Sequence, residues 1–191
     1  MHPLSQYLVI EDFISQENAE WLCNHIVENN GVDRRPLYEF FQMTGGDFLT
    51  ADRNWPFDPN KDIHRAVDYA FNYFKDNFKM DGRFELNRLH GNTMHTGSKL
   101  DIHTDEDPAL DGSYDEYQRS YILTIALNDD FEGGDYEFPD QEIVFKPKRG
   151  SLTLFPGYCT PHGVSQVTKG SRVNIIVVFH DVLDEEKHIS L

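Results

Sequence analysis

"RSYILTIALNDDFEGGDYEFP", residues 119–139, is the stretch on which the reading of the fold turns. It holds two strand-like runs, "SYILTIALN" and "DYEFP", with Gly133-Gly134 between them. Apolar and β-branched residues bounded by Gly, Asn and Asp mark short strands joined by turns. The same texture extends in both directions. Upstream lie "RFELNRLH" (83–90) and "KLDIH" (99–103). Downstream lie "EIVFKP" (142–147), "SLTLF" (151–155), "VSQV" (164–167) and "SRVNIIVVFH" (171–180), punctuated by Pro147, Gly150, Pro156-Gly157 and Gly170. Eight such runs predict an antiparallel β-sandwich of the jelly-roll kind, a double-stranded β-helix.

Ahead of these strands the periodicity is helical. "QYLVIEDF" (6–13) reads as a short strand, and "QENAEWLCNHIVENNG" (16–31) then places Ala19, Leu22, Cys23 and Ile26 on one stripe. Ser15 is a candidate N-cap and Asn30-Gly31 a candidate stop. Residues 34–57 are irregular. Asp58-Pro59 then supplies a cap and a proline at a first helical position. Ile63, Ala66, Val67, Ala70, Phe71, Phe74 and Phe78 form the clearest helical stripe in the chain. An aromatic stripe at this spacing is packing surface. The predicted fold class is therefore α+β, mainly β, with N-terminal helices packed against one sheet of a jelly roll. No boundary between the two parts looks like a linker, so one domain over 1–191 is expected, helical over about 13–80 and jelly roll over about 83–182.

Composition narrows the function classes. The chain has 191 residues, 39% of them apolar, enough for a sizeable core. The run "IIVVF" (175–179) is far short of the roughly 18 residues a membrane span needs. The start has no basic region of a signal peptide. Cys23 and Cys159 are the only cysteines, and neither sits in a C-x-x-C. Two reduced thiols in a cytoplasmic protein are expected, although a single disulfide would be possible given the right geometry. A net charge of −16 argues against a nucleic-acid partner, because phosphate binding needs Lys and Arg clusters. It is compatible with a neutral or basic substrate, and equally with solubility alone.

The residues that carry chemistry begin with His103 and Asp105 in "KLDIHTDEDP" (99–108). A His-x-Asp triplet arises about once by chance in a chain of this composition, so it proves nothing alone. In a strand, however, residues i and i+2 share a face. Two polar groups on an interior face need a partner, and a divalent ion is one. Among the remaining histidines, His162 stands apart in "FPGYCTPHGVSQVTKGSR", between two strong strands. Two His and one carboxylate with open positions form the facial triad of non-haem Fe(II) sites, and zinc would bind the same set. Arg172 opens the last apolar strand. An arginine among Val and Ile is costly unless it meets an anion, and its planar fork suits a carboxylate. An internal ion pair with one of the 33 acidic residues would also satisfy it.

The pattern His103-x-Asp105, His162, Arg172 resembles the Fe(II)/2-oxoglutarate dioxygenases, and within them the prolyl 4-hydroxylase-like group. "RSYILTIALNDDFEGGDYEFP", "PKRGSLTLFPG" and "PHGVSQVTKGSRVNIIVVFH" are similar to that family's segments, and the resemblance runs over roughly residues 7–182. It implies that His103, Asp105 and His162 hold Fe(II), that 2-oxoglutarate and dioxygen are co-substrates, and that Arg172 fixes the distal carboxylate of 2-oxoglutarate. It further implies ascorbate as a reductant, and a substrate C–H bond hydroxylated as 2-oxoglutarate is converted to succinate and CO2. A prolyl residue in a peptide or protein is the expected substrate. Hydroxylation of a free amino acid or other small molecule, and a non-catalytic metal- or ligand-binding module, are the alternatives.

Two departures from the family stand out. Met94 occupies the place of a tyrosine that helps hold 2-oxoglutarate, which leaves Thr153 or Tyr121 to complete that pocket. Arginine replaces the lysine of many relatives at 172. Arg172-Val173-Asn174 also begins the motif of nucleic-acid-demethylating relatives, but Val178 stands where their second arginine would be. The acidic loop 105–118, with Tyr114, Tyr117 and a hinge at Gly112, reads as a lid or as a solvated loop. Tyr158 and Trp55 are weaker substrate-side candidates.

Overall fold

The last strand shows why the chain folds as it does. In the computed structural model, which describes residues 7–28, 59–78, 83–107 and 118–182, β12 (Ser171–Val182) runs through the middle of the larger sheet. It pairs antiparallel with β2 (Arg83–His95) on one side and β5 (Gln118–Ala126) on the other. Both of its faces are covered, which is why "IIVVF" is continuously apolar instead of alternating. Val173, Ile175, Val177 and Phe179 point to one face, while Ile176 and Val178 join a second cluster on the other.

The larger sheet has the order β1-β9-β5-β12-β2, with β1 (Leu8–Ile10) on β9 (Leu152–Phe155) and the short β4 (Glu106–Asp107) on β5. Facing it is a sheet of order β3-β10-β7-β8, made of Leu100–His103, His162–Val164, Tyr136–Phe138 and Ile143–Phe145. A third ladder joins β6 (Glu132–Gly133) to β11 (Val167–Lys169). All of the pairings are antiparallel. This is the jelly roll expected from the run of short strands. Several boundaries differ: β1 is shorter than the run 6–13, β2 continues to His95, His162 heads a strand instead of preceding one, and the expected strand 164–167 is divided between the end of β10 and the start of β11.

Helices α1 (Gln16–Glu28) and α2 (Pro59–Asn77) cover the outer face of the larger sheet. Ser15 caps α1, its Oγ accepting from the Asn18 N–H at 3.1 Å. Ala19, Leu22 and Ile26 are buried against the sheet, with Cys23 half-buried. Along α2, Ile63, Ala66, Ala70 and Phe74, with Phe78 just beyond, sink into the same core, as the helical spacing predicts. Phe74 is fully buried against Tyr121 and Phe179, at ring-centroid distances of 5.0 and 6.0 Å. Asn18 donates to Asp62 at 2.6 Å and ties the helices together. Pro59 opens α2; its proposed cap Asp58 and the proposed stop at Asn30-Gly31 lie outside the described residues. Cys23 and Cys159 are free thiols. Among the described residues no helix is long and apolar enough to cross a membrane.

The second cluster lies between the two sheets: Met94, Ile122, Tyr136, Phe138, Phe155, Val164, Val167 and Val178. The polar groups that matter are set into this inner layer.

Candidate metal and co-substrate site

His103 ends β3 and His162 begins β10, and the antiparallel register sets the two directly opposite each other. Their rings stand 4.4 Å apart between centroids. Asp105 lies two residues past the end of β3, outside the strand, yet its carboxylate reaches both imidazoles. Oδ1 is 3.3 Å from His103 Nε2 and Oδ2 is 3.5 Å from His162 Nε2. One donor atom from each of the three residues falls within 4.8 Å of the others. Ligands about 2.1 Å from one ion and at right angles to each other stand about 3 Å apart, close to the two imidazole–carboxylate distances, so the three residues could hold a divalent ion.

The backbone prepares both imidazoles. His103 Nδ1 lies 2.8 Å from the Asp101 carbonyl, and His162 Nδ1 lies 2.8 Å from the Thr160 carbonyl. A carbonyl only accepts, so each Nδ1 carries the proton and each Nε2 presents its lone pair to the centre. Burial pushes the His162 imidazole below its ordinary value, with the Thr160 hydrogen bond and the Asp105 charge pulling the other way. The neutral, ligating form is therefore favoured. His162 is walled by Phe155, at 4.5 Å between centroids, and by Phe138. His103 and Asp105 are partly open, with side-chain exposures of 35% and 27% against 7% for His162. The centre thus has a dry side and a solvent side.

Gly157 makes room for the carboxylate. Its carbonyl accepts the Asp105 N–H at 2.9 Å. A Cβ at 157 would stand 2.3 Å from Asp105 Oδ2 and 2.8 Å from Ile122 Cγ1, so only glycine fits without displacing a ligand.

Arg172 lies on the inner face of β12, only 2% exposed. Its Nη1 donates to Asn174 Oδ1 at 3.2 Å and approaches Met94 Sδ at 3.8 Å. Its guanidinium sits 4.6 Å from the centroid of the Tyr136 ring. Gly134, at φ +66°, leaves space for the arginine stem: a Cβ there would be 3.2 Å from Arg172 Cδ. Nε and Nη2 have no hydrogen-bond partner among the described residues, and no carboxylate there pairs with the guanidinium. The internal ion pair allowed by the sequence is therefore not formed within the described residues. Two orphaned donors on one edge of a buried guanidinium fit a carboxylate ligand.

Of the other residues singled out from sequence, Met94 lies opposite Arg172 on β2 and Thr153 opposite Thr124 on the inner face. Tyr121 is a correction. It belongs with Leu123, Ile125 and Leu127 on the helix side of β5, packed on Phe74 and Phe78. A strand's alternation puts it on the opposite face from Ile122 and Thr124, so it does not line the space between the sheets. Tyr158 is a second correction: it packs on the same helix-side core, 5.5 Å from Tyr121 between centroids. Tyr114, Tyr117, Gly112 and Trp55 lie outside the described residues. Sequence reasoning missed Tyr136, whose ring supports Arg172 and whose hydroxyl donates to Thr124 Oγ1 at 2.7 Å. It missed Asn174 as well, though its i+2 spacing from Arg172 was the available signal.

Comparison with known proteins agrees with this geometry. Residues 89–180 match the 2OG-Fe(II) oxygenase superfamily. Prolyl 3-hydroxylase 2 of Homo sapiens is 39% identical over 67 residues, which is 32% of this chain and 10% of that protein. The match thus spans only a tenth of that relative's length. The viral collagen prolyl hydroxylase of Paramecium Bursaria Chlorella virus-1, in its 2OG complex, superposes with a TM-score of 0.65 at 17% identity, over 92% of this chain and 96% of that one. A Pseudomonas putida prolyl-4-hydroxylase gives 0.66 at 14% identity, over 95% and 90%. The fold is shared with these structures, and residues 89–180, the part of the chain that matches the 2OG-Fe(II) oxygenase superfamily, carry the His-Asp-His cluster and Arg172.

Proposed function

We propose that this protein hydroxylates a prolyl residue in a peptide or protein, with His103, Asp105 and His162 holding Fe(II) and Arg172 holding 2-oxoglutarate. The observation that carries the reading is the pairing of a preorganised His-Asp-His cluster with a buried arginine whose free edge has no hydrogen-bond partner among the described residues. When bound, iron supplies the oxidising chemistry: 2-oxoglutarate and dioxygen become succinate and CO2, and one oxygen atom enters the substrate C–H bond.

The chain's own residues bind, orient and exclude water. Asp101 and Thr160 fix the imidazole tautomers through their carbonyls. Gly157 fixes the carboxylate. Arg172 anchors the far carboxylate of the keto acid, which sets its keto end toward the triad. Met94, at the place of the family's tyrosine, lies against Arg172 and leaves Thr153, Thr124 and Tyr136 to furnish polar groups on that wall. Phe155, Phe138, Ile122 and Val178 line the dry side, where stray water would divert the reaction. The more exposed His103 side is where substrate enters. The free thiols suit a reducing compartment, the cytoplasm, with ascorbate as a reductant.

The prolyl assignment rests on what the similar proteins are named for, and the test must separate it from small-molecule hydroxylation. Purified protein with Fe(II) and 2-oxoglutarate is assayed for succinate release against proline-containing peptides and, in parallel, free amino acids. Succinate coupled to peptide hydroxylation, lost in His103→Ala, Asp105→Ala and His162→Ala, is the expected result. Turnover with free amino acids alone would move the assignment to small molecules. No 2-oxoglutarate consumption with any substrate would contradict the oxygenase reading of the site.

A further inference from the structure

We propose that Asn174, braced by Asn92, is a positioning residue that keeps Arg172 both aligned and electrically unpaired, so that the guanidinium selects a ligand with a distal carboxylate. This rests on the reading of the site given above and deepens it.

The chain carries 33 acidic residues and a net charge of −16, so a carboxylate partner for a buried arginine is easy to come by. The structure supplies none among the described residues. Among the described residues, the groups that touch the Arg172 guanidinium are uncharged: the Asn174 amide oxygen, the Met94 sulfur and the Tyr136 ring. A buried cation held only by neutral groups carries a desolvation cost that a neutral acceptor offsets only in part. The arrangement makes physical sense if the charge is reserved for something that arrives.

Asn174 is itself buried, and it faces Asn92 across the β12–β2 pairing. Asn92 Nδ2 lies 3.4 Å from Asn174 Oδ1, the same oxygen that accepts from Arg172 Nη1. Two donors converge on one oxygen, which fixes the Asn174 amide with its oxygen toward the arginine, since a flip would set NH2 groups against each other. Held through Nη1, the guanidinium presents Nε and Nη2 as a two-pronged edge. That edge matches a carboxylate bidentately. An aspartate at 174 has the same shape and would hold Nη1 equally well. It would also neutralise the cation and cancel most of its attraction for an incoming anion. The asparagine therefore separates two jobs, alignment and charge, that a carboxylate would merge.

The test is Mn(II)-dependent binding, read by calorimetry on the full chain, of two probes: N-oxalylglycine, which carries a distal carboxylate, and oxalate, which chelates the metal without one. Asn174→Asp is expected to weaken N-oxalylglycine tenfold or more while leaving oxalate and Mn(II) affinities within about twofold. Asn92→Ala, which frees the Asn174 amide, is expected to give a smaller loss of the same selectivity. N-oxalylglycine binding unchanged in Asn174→Asp overturns the proposal. Equal losses for both probes also overturn it, since they indicate a general disturbance of the pocket. Wild-type protein that binds Mn(II) but discriminates neither probe from buffer would instead remove the co-substrate reading, and this inference with it.

Discussion

Replacing Gly157 with alanine asks how tightly the backbone dictates the position of the Asp105 carboxylate. The added Cβ would lie 2.3 Å from Asp105 Oδ2 and 3.1 Å from Asp105 Cβ. Carbon and oxygen need about 3 Å or more when not bonded, so the oxygen must retreat by roughly 0.7 Å. Retreat is hindered, because the Asp105 N–H is pinned to the Gly157 carbonyl and Ile122 Cγ1 lies 2.8 Å from the same new carbon. Metal sites tolerate about 0.2 Å of error in ligand distance. The displacement exceeds that several-fold, and the expected loss of Mn(II) or Fe(II) affinity is at least the 10–100-fold seen when supporting groups around a metal are removed. Gly157 is outside the positive-φ region, so alanine there strains no backbone dihedral, but the crowding against buried Ile122 should still cost the metal-free protein about 1–3 kcal/mol of stability, leaving it folded at the temperature of the metal titration. Metal titration under anaerobic conditions, with the melting temperature of the metal-free variant as control, reads both quantities. Wild-type metal affinity in Gly157→Ala would refute the argument that this glycine confines a ligand.

Three further outcomes follow from the packing and the site. Arg172→Ala should raise the KM for 2-oxoglutarate by about ten- to a hundredfold, the range for a lost charge-assisted pair, with metal affinity unchanged; steady-state succinate assays check it. Phe74→Ala empties the junction of α2 with Tyr121 and Phe179 and should cost about 3–5 kcal/mol in urea unfolding. Ser15→Ala removes the α1 cap and should cost about 1 kcal/mol by the same measurement, without altering metal binding.

The order of legibility along the chain has physical reasons. The stripes of α1 and α2 read cleanly because each helix buries one face and leaves the other to water. The strands of the larger sheet read as strands but not as faces. Tyr121, Leu123 and Ile125 turn to the helices while Ile122 and Thr124 turn inward, and both sets are buried. With apolar residues on both sides, alternation carries no signal of which face is which, and Tyr121 reads as an inward residue when it faces the helices. Arg172 itself held the missing cue: a polar side chain on β12 marks the inner parity, and Asn174 shares it two residues on. The triad could be read from residue types plus the expectation that jelly-roll strands distant in sequence become neighbours, which the His162–His103 register provides. Gly157 could not be read. Beside Pro156 it looks like turn punctuation, and nothing local reveals that its bare Cα faces a carboxylate 52 residues away.

The most direct measurement is an anaerobic crystal structure of the protein with Mn(II) and N-oxalylglycine. The account predicts one metal ion bound by His103 Nε2, the Asp105 carboxylate and His162 Nε2, with the far carboxylate of the analogue on Nε and Nη2 of Arg172. A metal ion seated elsewhere, or a guanidinium edge that the analogue leaves untouched, would contradict it.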